Sequence, residues 1–398
     1  MPWREISPMS EQLNFIIDCL DRSVPIVEIC RRYGISEKTG HKRLKRFREE
    51  GIDGIHDRSR ARLTHPFRIA PEVIEQILAI KRKFRSYGPK TIRHILTQKD
   101  PGVRWPVASS IGEILRRNDL VRPKRKHHSL AHSSLGTGRT RAAEANTVWT
   151  ADFKGQFRLG VRGDYCYPLT VMDLSTRYLL ACSAFDSTAV ATTEKAFVRL
   201  FQEHGLPKVI RTDNGVPFCQ PNALGRLGRL AYWWVKLGIK PEHIKPATPS
   251  ENGAHERFHR TLKAAVITPP SNSIDSIASQ QRRFNSFIVE YNEHRPHTSL
   301  PDQRPPGEFY CDSNRPYPKK LPVIEYPSDW EVRLVSSSGG FKWKDRSLHL
   351  SENLAGQYVG ITENDRSLLT VSFGSLELGD IEMNPIRFLP RLRWTGTI

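Results

Sequence analysis

Between Asn146 and Gly215 three alternating stretches, an amphipathic helix and a further strand follow one another, and that order constrains the fold more than any other feature of the chain. "TVWTADFKGQF" alternates apolar and polar residues and carries Asp152, and "YCYPLTVMDLSTRYLLACSAF" reads as two more strands with a turn at Asp173 to Thr176. "AVATTEKAFVRLFQEHG" has helical spacing, and "PKVIRTDNG" returns as a strand that ends at Asp213. Three strands in antiparallel succession, then a helix and another strand, predict a mixed sheet with helices against it. Alone, Asp213-Asn214-Gly215 is an ordinary strand-ending turn, since Asp and Asn bond nearby backbone and Gly accepts unusual dihedrals.

The flanks read differently. Glu11 to Asp21, then "PIVEICRRYGIS" and "EKTGHKRLKRFREEG", give a helix-turn-helix over residues 1–60, with Gly34 in the turn and Ser36 as helix cap. Its last helix is basic. In such a motif the second helix enters the major groove, so Lys38, Thr39, His41, Lys42, Arg43 and Arg46 are candidate DNA contacts. Residues 66–122 repeat the pattern in degenerate form, with Pro71 opening one helix. Residues 123–145, with Lys124, Arg125 and Lys126, read as a basic linker that contacts phosphates rather than as packed structure. From 320 to 398 short alternating segments separated by Gly, Asn and Asp predict a small β-barrel. The chain is thus expected to be a multidomain α/β protein with all-α N-terminal domains.

Sixty-one Lys and Arg against 42 Asp and Glu give a formal charge of +19, a field that attracts polyanions. No stretch is long and apolar enough to span a bilayer and no signal region stands at the start, so a soluble intracellular protein without membrane contact is expected. The six cysteines have no Cys-x-x-Cys spacing, which argues for buried reduced thiols rather than a zinc ribbon or disulfides.

Against this basic background three acids stand in comparable settings: Asp152 on a strand, Asp213 at a strand end and Glu256 at the start of a basic helix from about Asn252 to Val266. If the strands are neighbours, the carboxylates converge and can hold two Mg²⁺ ions, which suit in-line displacement at phosphorus. Asp164 and Asp173 lie at turns and Glu251 at a helix cap, simpler roles for each. His255 and His259 are expected in DNA contact or packing, and Trp233 and Trp234 in a core.

"WTADFKG", "RTDNGVPF", "SENGAHERFHRTLK" and "YNEHRPHTSL" together resemble the DDE catalytic core of insertion-sequence transposases and retroviral integrases. The resemblance covers roughly residues 140 to 310 and implies a ribonuclease H-like core, set here at 146–312. It implies that Asp152, Asp213 and Glu256 form the metal-binding triad, with Mg²⁺, or Mn²⁺ as substitute, and that Lys263 and Arg260 on the same helix meet DNA. It further implies phosphodiester hydrolysis and strand transfer at terminal inverted repeats, double-stranded DNA as partner, a synaptic multimer, and a bacterial cytoplasm with nucleoid association. The interval from Asp213 to Glu256 exceeds the retroviral one, which fits an extra helix in "ALGRLGRLAYWWVKLG". No His/Cys zinc module matches, which favours the insertion-sequence branch. The alternatives are a non-catalytic DNA-binding regulator derived from such an enzyme and a structure-specific nuclease with the same core; intact carboxylates speak against the first, tandem DNA-reading modules against the second.

Overall fold

The computed structural model describes residues 8–56, 69–121, 139–160, 164–244, 253–267, 276–363 and 368–397. It divides into two compact units, Met1–Arg68 and Ile69–Ile398.

In the first unit α1 (Pro8–Asp21), α2 (Ile26–Arg32) and α3 (Glu37–Glu50) enclose Phe15, Ile16, Ile29, Cys30 and Leu44. Gly34 adopts φ +64 between α2 and α3, a conformation that glycine takes without a steric penalty. The Ser36 hydroxyl accepts the Thr39 N–H at 3.3 Å and caps α3. This is the helix-turn-helix order expected from the sequence.

The second unit opens with α4 (Pro71–Lys83), α5 (Pro89–Lys99) and α6 (Ala108–Arg117), packed around Ile77, Ile92, Leu96, Ile111 and Leu115. Proline stands in the first turn of α4 and α5, where its missing N–H has no helical partner to lose. A mixed sheet follows: β1 (Val148–Phe153), β2 (Phe157–Arg158), β3 (Tyr165–Asp173), β4 (Leu179–Phe185), β5 (Val209–Thr212) and β6 (Lys240–His243). Its order is β2-β3-β1-β5-β6, with β4 also on β3. β1, β3 and β4 are antiparallel neighbours, whereas β5 lies parallel to β1 and β6 parallel to β5. Alternation along β1 and β3 separates two cores. Trp149, Ala151, Leu169 and Val171 meet α7 (Val190–His204), and Met172 meets α9 (Gly253–Leu262) and α10 (Ile277–Val289) through Phe258 and Phe284.

The segment "ALGRLGRLAYWWVKLG" does form an extra helix, α8 (Arg229–Lys236), and every residue from Leu230 to Val235 is buried. Trp233 and Trp234 join the mixed-sheet core, while Ala231, Tyr232 and Val235 join the C-terminal one. A helix apolar all round needs partners on both sides, and this one has them.

The C-terminal strands are β7 (Glu331–Leu334), β8 (Gly340–Trp343), β9 (Arg346–His349), β10 (Tyr358–Glu363), β11 (Leu369–Phe373), β12 (Leu376–Met383) and β13 (Ile386–Trp394). They form an open five-stranded sheet, β13-β12-β11-β10-β7, and a separate β8-β9 hairpin. Among the described residues no ladder closes them into the expected barrel. Phe341, Trp343 and Leu348 of the hairpin pack in the same core as Val359, Ile361 and Phe373 of the sheet, so burial is achieved by face packing.

Two further expectations change. Residues near 139–140 are packed, since Thr140 Oγ1 donates to Glu242 at 2.6 Å and Arg211 donates to the Thr140 carbonyl at 2.7 Å. The linker reading fails there because partners for its polar groups come from β5 and β6, 71 and 102 residues on. Cys30, Cys166, Cys182 and Cys219 are buried free thiols as expected, but Cys311 is exposed and Cys19 half-buried.

Candidate active site

The parallel register sets the first two acids side by side. Ala151 on β1 faces Thr212 on β5, so the next positions, Asp152 and Asp213, stand abreast with side chains on the same face of the sheet. That face is covered by α9, whose first turn carries Glu256. Burial raises the Asp152 carboxyl to about 7, and the charges of Asp213 and Glu256 push in the same direction against the opposing Lys154. Asp213 is also raised by burial, opposed by the Gly215 N–H that its carboxylate accepts. The structure therefore brings the three candidate acids together, with Glu256 exposed.

The turn after β5 holds Asp213 by two devices. Asn214 Nδ2 donates to the Ile244 carbonyl at 2.7 Å and ties the turn to the end of β6. A Cβ on Gly215 would lie 2.9 Å from Asp213 Oδ2, so glycine here leaves room for the carboxylate. The competing acid Asp173 has a structural role: its carboxylate accepts the N–H groups of Asn146 and Thr176, each at 2.8 Å, and the Thr176 hydroxyl.

Beneath the acids lies a polar lattice that the sequence reading missed. The Thr170 hydroxyl is 3.0 Å from the Asp152 carbonyl, 2.6 Å from His255 Nε2 and 2.8 Å from His259 Nε2. Thr150 Oγ1 is 2.9 Å from His255 Nδ1. One set of protons satisfies these four contacts: Thr170 donates to the carbonyl and accepts both Nε2–H groups, and Thr150 donates to His255 rather than to the Met172 carbonyl 3.3 Å away. Both imidazoles are neutral, since burial holds His255 down at about 3 and His259 at about 2. His255 and His259 thus belong to packing rather than DNA contact. Asp152, His255 and His259 offer ligand atoms within 4.8 Å of one another, but both nitrogens of His255 are occupied by threonine hydroxyls. The remaining lone pair, His259 Nδ1, lies 3.7 Å from Asp152 Oδ2. A lone pair, a buried carboxylate and two further carboxylates nearby form a donor set that a divalent cation or a proton would relieve.

The DNA-contact candidates fall into groups. Lys38, His41 and Lys42 are exposed on α3, while Thr39, Arg43 and Arg46 are half-buried. Thr39 Oγ1 is 2.9 Å from Ser36 Oγ, and Arg43 Nη1 turns to the Ile55 carbonyl at 3.5 Å. Lys124, Arg125 and Lys126 lie outside the described residues. Arg260 is exposed on α9, and exposed Lys263 starts the π-helical turn Lys263–Ile267 that continues it. That turn borders a cavity of about 780 Å³ lined by Lys83 and Arg85 from the second helical module and Arg282 and Arg283 from α10.

Comparison with known proteins concerns the domains that carry these residues. Models described as "Integrase core domain" match residues 142–249 and 237–306, a "Helix-turn-helix domain" matches 14–62 and a "Homeodomain-like domain" matches 39–115. The chain carries an integrase core behind helix-turn-helix domains. An insertion element IS476 uncharacterized protein of Xanthomonas euvesicatoria is 22% identical over 59% of this chain and 63% of that protein. An insertion element IS407 uncharacterized protein of Burkholderia multivorans is 25% identical over 41% of this chain and 55% of its own length. The Pol polyprotein of Radiation murine leukemia virus is 28% identical over 34% of this chain and 22% of its own. The match thus spans less than two thirds of each of these relatives. Among solved structures, the HTLV-2 integrase catalytic core domain in complex with magnesium has 15% identity and a TM-score of 0.33, over 43% of this chain and 100% of that one. A TM-score this low leaves the integrase-core fold to rest on the strand order and the family matches. Among the described residues no helix is long and apolar enough to cross a membrane.

Proposed function

We propose that this integrase-core protein is a DDE-type DNA transposase that hydrolyses a phosphodiester at each end of its element and joins the resulting 3′ end to target DNA. The reading is carried by one observation: Asp152 and Asp213 stand abreast on parallel strands beneath the helix that bears Glu256, close enough for both neighbours to raise the Asp152 carboxyl. These three carboxylates would hold two Mg²⁺ or Mn²⁺ ions, which when bound stabilise the attacking and leaving oxygens in displacement at phosphorus. The oxygen-donor set fits such ions. The chain's own part is placement. β1 and β5 fix the two aspartates, Gly215 leaves room beside Asp213, and the threonine–histidine lattice anchors α9 and therefore Glu256. Lys38, His41 and Lys42 would read terminal inverted repeats, Arg46 would support them, and Arg260 and Lys263 would take phosphates near the cut. Lys124, Arg125 and Lys126 would add backbone contacts. Joining two ends in concert calls for a synaptic multimer; the bacterial insertion-element relatives favour a cytoplasmic place, and DNA binding would bring the protein to the nucleoid. The C-terminal strands would supply DNA or subunit contacts in that assembly.

The experiment uses labelled element ends with the full chain. Nicking and joining are expected in Mg²⁺ or Mn²⁺ and lost in EDTA or Ca²⁺. Asp213→Asn should bind the same DNA and fail to cut it; near-normal cleavage by Asp213→Asn would return the residue to a turn former.

A further inference from the structure

"YNEHRPHTSL" has so far explained nothing about function. Its residues form one wall of a cavity of about 250 Å³, whose other walls are α5, α9 and the turn between β3 and β4. Arg295, His297 and Ser299 come from the motif, Arg257 and Thr261 from α9, and Arg177 from the turn. No carboxylate lines this cavity among the described residues.

Guanidiniums gathered around one small space repel one another, and the arrangement is relieved where something negative is supplied. The nearest acids are committed elsewhere. Asp173 is saturated by Asn146 and Thr176, and Glu290, 3.8 Å from Arg295 Nη1, offsets Arg295 alone, whose two Nη atoms donate to Ser86 and whose plane lies on Tyr87, so the unmet charge is that of Arg177 and Arg257. Arg177 Nη1 is buried and has no hydrogen-bond partner, which in a native structure calls for an ion or water to accept from it. The field of the three arginines is felt by its neighbour: burial and then Arg177, Arg295 and Arg257 together hold His297 down at about 4, so the ring is neutral, 3.1 Å from the Tyr291 hydroxyl and 3.0 Å from Ser299 Oγ.

We propose that this cavity is a binding site for one phosphate group, held between Arg177 and Arg257, with Arg295 adding its field from the wall and hydroxyls of Thr261, Thr298 or Ser299 completing the shell. A phosphate fits better than a carboxylate because its tetrahedral oxygens accept from three directions at once, whereas a carboxylate presents two oxygens in a plane. The space is roughly eight times the liquid volume of one water molecule, enough for a phosphate and adjoining sugar atoms. Arg257, Thr298 and Ser299 are exposed, so the mouth opens to solvent. Arg257 also follows Glu256 directly on α9, about 100° around the helix axis from it, so one helix contributes to both the cavity and the candidate active site. A backbone phosphate of DNA is therefore the guest the geometry favours, and that assignment of source rests on the DNA-transposase reading; the phosphate chemistry does not.

Two binding measurements in EDTA, with no cleavage involved, separate the sources and remain informative if the chain cuts nothing. The first follows thermal unfolding of the full chain in inorganic phosphate against chloride at matched ionic strength. Wild type should gain more than Arg257→Glu or Arg177→Gln, and the general salting effect of phosphate cancels in that comparison. Arg257 is exposed, so its variant folds even if Arg177→Gln does not. The second measures anisotropy of a random-sequence duplex across a salt series, where the variants should lower the slope of log affinity against log salt by about 0.9 for each DNA phosphate that the altered side chain no longer neutralises. A response in both supports the site with DNA as the source, and a response to inorganic phosphate alone supports it with a free phosphate ester as the source. Equal behaviour of wild type and both variants in the two assays overturns the proposal.

Discussion

Asp152→Asn should stabilise the metal-free protein at alkaline pH, against the usual effect of altering a buried polar residue. The Asp152 side chain is 15% exposed, and its carboxyl is lifted from 3.8 to about 7 by burial, then by Asp213 and Glu256. At about 1.4 kcal/mol per tenfold change in protonation, the ionised form costs the folded state about 4 kcal/mol relative to the unfolded chain. The folded value lies above the unfolded one, so between pH 4 and 7 the native state binds the extra proton. This group's contribution is therefore full below about 3.8 and lost as pH rises through about 7. Asn keeps the shape without the charge and should recover about 2–4 kcal/mol at pH 8, less what its amide loses in hydrogen bonding. Urea unfolding in EDTA, read by the fluorescence of Trp149, Trp233 and Trp234 in the sheet core, gives the comparison. The advantage of the Asn variant should grow by up to about 1.4 kcal/mol per pH unit between 4 and 7 and then level off, and Mn²⁺ should narrow it by stabilising only the wild type. A difference that ignores pH would refute the claim that Asp152 is a strained carboxylate among like charges.

Other expectations follow from single contacts. Thr170→Val strands the two imidazole N–H groups that share its hydroxyl, and should cost about 2–4 kcal/mol in the same unfolding assay. Gly215→Ala puts a Cβ 2.9 Å from Asp213 Oδ2 and should depress cleavage while gel shifts on element ends stay normal. Lys42→Ala should weaken DNA binding and lower the salt slope by about one, whereas Arg43→Ala should change it less because that guanidinium already faces the Ile55 carbonyl. Below pH 6.5 the buried neutral His255 and His259 should erode stability progressively, because the unfolded chain takes up protons there that the native imidazoles, held at about 3 and 2, refuse; His259→Gln should flatten that limb of the pH curve.

What the sequence discloses and what it hides divide along a physical line. Strand alternation, the Gly34 turn, the Ser36 cap and the twin tryptophans of α8 are local patterns, set by periodicity and by residues with strong dihedral preferences, and each stands in the structure where its pattern puts it. The side-by-side placement of Asp152 and Asp213 is conditional in the sequence, and the parallel pairing of β1 with β5 supplies the condition. The features that escape depend on partners distant in sequence. Thr150 and Thr170 look like any strand threonine until α9 lays two histidines on them, and nothing at Thr140 announces Glu242. Arg177 and Arg257 merge into the general positive charge, although each differs from a solvated surface arginine only by the cavity they share with the motif. The signal available is pairing within the motifs themselves: His255 and His259 are four apart on a helix whose opposite positions are charged, so one face has to be buried with two imidazoles on it, and buried imidazoles must find hydroxyls or carbonyls. Followed that far, the sequence points to polar strand residues beneath α9, and Thr150 and Thr170 occupy the alternate positions of β1 and β3 on the face that Asp152 shares.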